Sequence, residues 1–184
     1  MTMAPQPLVL VHAAGDPRQP EGSGQLTDYL GRELGSEYRV IAPTMPNPDE
    51  PRYRPWTDRI EQELADIEGG VILVGHSFGG SVLMKYLAEG SYRKSVRGIF
   101  LVSAPYWGPG GWEYDEYDLP DDFPAGLPPS RLFLYHSEDD PEVPFGHLSR
   151  YAEKLPNATS RPIPGSEHSF TSGLPQLVDD IRSL

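Results

Sequence analysis

Residues 71–80 read VILVGHSFGG. Four apolar residues in a row suit a strand covered on both faces. The run ends in Gly75-His76-Ser77-Phe78-Gly79-Gly80, and a helical pattern follows through Val82, Leu83, Tyr86 and Leu87. A strand that passes through G-x-S-x-G into a helix puts the serine on a strained turn with its hydroxyl raised from the sheet. Glycine at 75 and 79 removes side chains where strand and helix come closest. In a chain with 19 glycines the pattern alone carries little weight. Its setting between strand and helix makes Ser77 a candidate nucleophile.

The same rhythm extends outward from this stretch. Apolar runs at 7–12, 38–43, 96–104 and 131–136, and a weaker one at 159–163, read as further strands. Helical faces form from Leu26, Tyr29, Leu30 and Leu34, and from Trp56, Ile60, Leu64 and Ile67. A terminal helical face is carried by Leu174, Leu177, Val178, Ile181 and Leu184. Strand–helix alternation of this kind predicts an α/β fold: a three-layer α/β/α sandwich around a doubly wound, mostly parallel sheet of about six strands. No internal repeat or dividing linker is present, so residues 1–184 are expected to form one domain. Only 104–129, APYWGPGGWEYDEYDLPDDFPAGLPP, breaks the alternation. A long aperiodic segment in a compact domain is usually functional or mobile.

Composition narrows the function. The chain has 184 residues, no cysteine and a formal net charge of −12. Disulfides, thiolate metal sites and cysteine nucleophiles are excluded. An acidic surface does not neutralise nucleic-acid phosphates, so no nucleic-acid partner is expected. No run approaches the roughly 20 apolar residues of a membrane span. The first residues lack the basic and apolar regions of a signal peptide, and a cytoplasmic location is the expectation. Neither an H-x-x-E-H spacing nor a phosphate-cradling loop with its lysine occurs, and no metal or other cofactor is expected.

A serine hydroxyl needs a base to accept its proton. Among five histidines, His12, His76 and His136 end strands, and His147 lies near a helix start with a surface role expected. His168, in GSEHSF, follows the last strand, from where a loop can lower an imidazole onto Ser77. The orienting acid is expected between serine and histidine in sequence. HSEDDPEVPF offers Glu138, Asp139, Asp140 and Glu142; Asp140 opens a D-x-x-V-P spacing and is preferred, with Asp139 second. The developing oxyanion calls for backbone donors. Phe78 N–H, at the helix start, is one candidate, and Ala14 in VHAAGD is the other, with Ala13 as its alternative.

These residues resemble the α/β-hydrolases, and more narrowly the small cap-less serine hydrolases of the retinoblastoma-binding protein 9 / YdeN-like family. The resemblance covers nearly the whole chain. It rests on the short first strand, APTMPNPDEPRYRPW, GHSFGG, SEDDPEVPF and GSEHSF, with Met45-Pro46-Asn47-Pro48 followed by Trp56 the most family-specific element. It implies a minimal α/β-hydrolase fold without a large cap. It also implies metal-free hydrolysis of a small-molecule ester or amide through an acyl-enzyme, with Ser77 as nucleophile, His168 as base and Asp140 as its orienting carboxylate. Carboxylic esters are the expected substrates. Amide cleavage, acyl transfer to another acceptor, and a catalytically silent interaction protein are the alternatives.

Tyr106 and Trp107 lie nearest the fourth strand's end and are expected to line the substrate site, or else to anchor their loop to the core. The acids of 113–122 are expected to keep the loop solvated. Trp56 is expected in the core.

Overall fold

The computed structural model describes residues 4–20, 22–90, 92–165 and 167–184. Six strands, β1 (Gln6–Val11), β2 (Tyr38–Ile41), β3 (Val71–His76), β4 (Val96–Val102), β5 (Arg131–Ser137) and β6 (Thr159–Ile163), form one sheet in the order β2-β1-β3-β4-β5-β6. Every pairing is parallel. Five helices connect or follow them: α1 (Gly24–Leu34), α2 (Tyr53–Ala65), α3 (Phe78–Ala88), α4 (Gly146–Lys154) and α5 (Pro175–Arg182).

Two apolar layers cover the sheet because successive strand side chains alternate between its faces. Leu8, Leu10, Ile72, Val74, Phe100 and Phe133 pack with Leu26, Leu30, Leu177 and Ile181 of α1 and α5. Val9, Val11, Leu73, Ile99, Leu101 and Leu134 pack with side chains of α2, α3 and α4. Such two-sided cover is why the central strands read as continuous apolar runs.

Helix α4 has no counterpart among the helical faces read from the sequence, which gave only a helix start near His147. Its apolar face is short, with Leu148 and Tyr151 buried from the helix and Leu155 just beyond it. Trp56 is fully buried, as expected, and donates its indole N–H to Pro46 O at 2.8 Å. The 104–129 segment carries a short 3-10 turn, Phe123–Gly126, and covers the α3 side of the sheet. It is tied down by Glu116. One carboxylate oxygen accepts Tyr53 N–H at 2.7 Å in the first turn of α2, the other pairs with Arg52 at 3.1 Å, and the backbone carbonyl accepts Lys85 Nζ at 2.9 Å. This acid therefore caps a helix start that has no side-chain cap of its own, beyond the solvating role expected of the acidic run.

The chain passes from β1 to β2 on one side and then to β3 on the other. Between β1 and β3 the winding reverses, and in open α/β sheets ligands bind at such a switch point, beyond the strands' carboxyl ends.

Candidate active site

Ser77 sits at this switch point, directly after β3 and as the N-cap of α3. Its backbone has φ 50° and ψ −126°, a conformation rare for a residue with a side chain. Surroundings over-determine it: Ser77 N–H donates to Val102 O at 2.7 Å. A Cβ at Gly79 would lie 2.3 Å from the carbonyl oxygens of Val11 and His12, and one at Gly75 would lie 2.5 Å from Gly80 Cα. Only glycine at both positions lets α3 start this close to the sheet. Ser103 and Phe170 also have positive φ, at 49° each, where the chain leaves β4 and just beyond His168. Strain is thus gathered at the carboxyl edge of the sheet.

The β6–α5 connection brings His168 over the serine. Ser77 donates its hydroxyl to His168 Nε2 at 2.9 Å. On the other side of the ring, His168 Nδ1 donates to Asp140, 2.9 Å from Oδ2 and 3.0 Å from Oδ1. The Asp140 side chain is wholly buried, and its Oδ1 also accepts Glu142 N–H at 2.8 Å and Val143 N–H at 2.9 Å. Burial pushes this carboxyl up. The bonds from His168 and from the Val143 and Glu142 amides outweigh burial and hold it below the ordinary carboxylate range. Asp139 is exposed, and its N–H donates to Gly165 O at 2.9 Å. The structure therefore joins Ser77, His168 and Asp140 and leaves Asp139 outside. The exposed carboxylate of Glu142 lies 3.6 Å from His168 Nε2.

Around the β1–α1 connection, Ala13 N–H donates to Ser23 Oγ at 2.8 Å and Gly15 N–H donates to Pro48 O at 2.7 Å. Ala14, between them, is exposed. Phe78 N–H belongs to the first turn of α3, where helix amides have no intrahelical acceptor.

The other histidines are structural. His12 Nε2 accepts Met45 N–H at 3.0 Å, which ties the Met-Pro-Asn-Pro segment to the end of β1. His136 Nε2–H donates to Val143 O at 2.8 Å and thereby shapes the turn that carries Asp140. His147 departs from the surface role expected of it. It is buried, and its Nδ1 accepts Tyr106 N–H at 2.8 Å, so α4 clamps the start of the 104–129 segment. His76 and Ser23 are both fully buried beside the site, and sequence reasoning assigned neither a partner.

Tyr106 is itself buried, edge-on to Tyr151 at 5.1 Å and to Phe123 at 6.4 Å, the anchoring alternative of the two weighed for it. Trp107 is partly exposed and packs on Tyr117 at 5.1 Å. Tyr117 meets Phe78 edge-on at 4.9 Å, and Phe78 meets Trp56 at 5.1 Å. An aromatic row thus reaches the residue that follows Ser77. A surface concavity of about 1160 Å³ lies elsewhere, lined by Asp58, Leu64, Tyr86 and Lys94 of α2, α3 and the chain beyond, and includes none of the three joined residues.

Residues 8–180 match the alpha/beta hydrolase family, and the chain belongs to it. A 59-residue stretch is 36% identical to the putative hydrolase YdeN of Bacillus subtilis (strain 168), covering 32% of this chain and 31% of that protein. The crystal structure of the B. subtilis ydeN gene product is similar over 97% of each chain, with a TM-score of 0.75 at 20% identity. A meta-cleavage product hydrolase from Pseudomonas fluorescens IP01 aligns with a TM-score of 0.74 at 16% identity, covering 97% of this chain and 91% of its own. A pyrethroid hydrolase from Sphingobium faniae JZ-2 gives 0.69 at 17% identity, covering 97% and 96%. The chain is an α/β-hydrolase of the YdeN-like type, an enzyme class whose compact fold it shares.

Proposed function

We propose that this α/β-hydrolase is a serine hydrolase of small carboxylic esters. The observation that carries the reading is the unbroken chain from the Ser77 hydroxyl through His168 to a buried, ionised Asp140. His168 takes the Ser77 proton as Oγ attacks the substrate carbonyl. Phe78 and Ala14 N–H hold the tetrahedral oxyanion; Ala14 is preferred to Ala13 because the Ala13 amide already serves Ser23. His168 then gives its proton to the departing alcohol, and the acyl group remains on Ser77. Water attacks the acyl-enzyme, losing a proton to His168, and the acid leaves as the proton returns to Ser77.

Asp140 stays charged throughout. It keeps the Nδ1–H tautomer in place and stabilises the imidazolium. The 104–129 segment covers the α3 side of the sheet, and its Trp107 and Tyr117, with Phe78, form an aromatic wall reaching the residue after Ser77. A wall of three aromatic side chains suits small substrates better than long lipids. Labelling with a fluorophosphonate probe is the direct test: the expected result is one labelled site, lost in Ser77→Ala. Full esterase activity in that variant would overturn the reading.

A further inference from the structure

We propose that His76 and Ser23 are positioning residues that hold the oxyanion turn and the His168 loop in fixed relation to Ser77. The inference rests on the serine-hydrolase reading above and concerns how that site is kept assembled.

Three buried hydrogen bonds run in series. Ala13 N–H donates to Ser23 Oγ at 2.8 Å. Ser23 Oγ lies 2.7 Å from His76 Nδ1. His76 Nε2 lies 2.9 Å from the carbonyl oxygen of His168. A carbonyl only accepts, so Nε2 must carry the proton. Burial, and secondarily the neighbouring His168, push the His76 imidazole down to about 4, so the ring is neutral at pH 7. Its Nδ1 is then an acceptor, and Ser23 must donate to it. Every member has one role, and none can be reversed without leaving a buried polar group unpaired.

The series ends on two different parts of the site. One end sets the Ala13 peptide, next to the proposed Ala14 donor. The other holds the backbone of His168 itself, with the two imidazole rings 5.4 Å apart. His76 is carried on the rigid end of β3, one residue before Ser77. It therefore references both loops to the nucleophile. A merely space-filling histidine would need neither bond.

The test combines spectroscopy and kinetics on the full chain. Imidazole ¹⁵N shifts at pH 7 should show His76 neutral, with Nε2–H and an accepting Nδ1. The Nδ1–H tautomer, or a charged ring, would overturn the proposal. Ser23→Ala and His76→Gln should each lower kcat for a neutral ester about tenfold with KM within twofold, since misplaced groups act on the transition state more than on binding. His76→Leu, which cuts both bonds, should lose about a hundredfold. Adding Ser23→Ala to it should cost clearly less than the tenfold it costs in the wild type, since only the Ala13 bond is left to lose, and a full further tenfold would overturn the proposal.

Activity is compared at a temperature where circular dichroism shows each variant folded. Should His76→Leu not fold, Ser23→Ala and the wild-type tautomer decide the matter. Wild-type protein that is labelled by fluorophosphonate, with Ser23→Ala and His76→Gln turning over within twofold of it, would reject this inference alone. Wild-type protein that is neither labelled nor active on esters would remove the serine-hydrolase reading and this inference with it.

Discussion

Ser77 Oγ and His168 Nε2 lie 2.9 Å apart although 91 residues separate them in the chain. Asp140 holds the far side of the ring, while Asp139 faces solvent. Adjacent carboxylates therefore predict opposite outcomes. Asp140→Asn should lower kcat by about 10⁴, as loss of the orienting carboxylate does in such sets. Asp139→Asn should leave it within about twofold, because an exposed charge off the hydrogen-bonded path contributes little. Ser77→Ala should cost on the order of 10⁶. Steady-state ester hydrolysis checks all three, and equal losses from the two aspartates would contradict the assignment.

The elbow makes a stability prediction. Gly79→Ala drives a methyl against the backbone oxygens of Val11 and His12, neither of which belongs to a flexible side chain. Overpacking of this kind should destabilise by about 3 kcal/mol or more. Gly31→Ala is the opposing case: the position is exposed within α1, and its Cβ would meet nothing within 4 Å. It should stabilise by roughly 0.5–1 kcal/mol through helix propensity. Urea denaturation should move the two midpoints in opposite directions.

Glu116 joins the aromatic segment to the start of α2. Glu116→Ala removes the acceptor from Tyr53 N–H and should cost about 1 kcal/mol, the usual worth of a helix cap. The segment should also loosen. Limited chymotryptic cleavage at the exposed Trp112 and Tyr114 should quicken while cleavage elsewhere does not.

Asp180 gives the acid dependence of stability a specific source. Its carboxylate accepts Tyr135 Oη at 2.7 Å, Arg161 Nε at 3.0 Å and a second Arg161 nitrogen at 2.8 Å. Burial raises the group, and the bonds from Arg161 and Tyr135 outweigh burial and hold it below the ordinary carboxylate range. A carboxyl depressed by folding contributes stability that is present above its unfolded value of about 3.9 and lost as pH falls toward the folded value. Asp180→Asn should therefore cost about 2 kcal/mol near neutrality, and the gap to wild type should close below about pH 4. A gap that persists at pH 2 would point to packing and not charge.

Glu142 places a carboxylate 3.6 Å from the nitrogen that faces Ser77, and it is largely exposed. Across a solvated gap, one such charge should favour a cationic leaving group by about twofold to fivefold. Comparing a thiocholine ester with its uncharged isostere should show that preference, halved or better by Glu142→Gln and fading at about 0.5 M salt. An unchanged ratio in Glu142→Gln would show that the charge is screened.

Local pattern determined much of this protein. Continuous apolar runs, helical faces and the strand–serine–helix stretch were sufficient for the sheet, four of its five helices and the position of Ser77 at the β3–α3 turn, because side-chain periodicity and tight-turn glycine are local properties. Chain order, with one acid turn and one histidine loop after later strands, pointed to Asp140 and His168. Only the tertiary structure decided the partners of buried polar groups. His147 turns inward to hold Tyr106, Glu116 caps a helix 63 residues away, and Ser23 meets His76 across 53 residues. No periodicity marks such pairs. They arise where strand ends converge, and a buried donor or acceptor must bond to whatever the fold brings within reach.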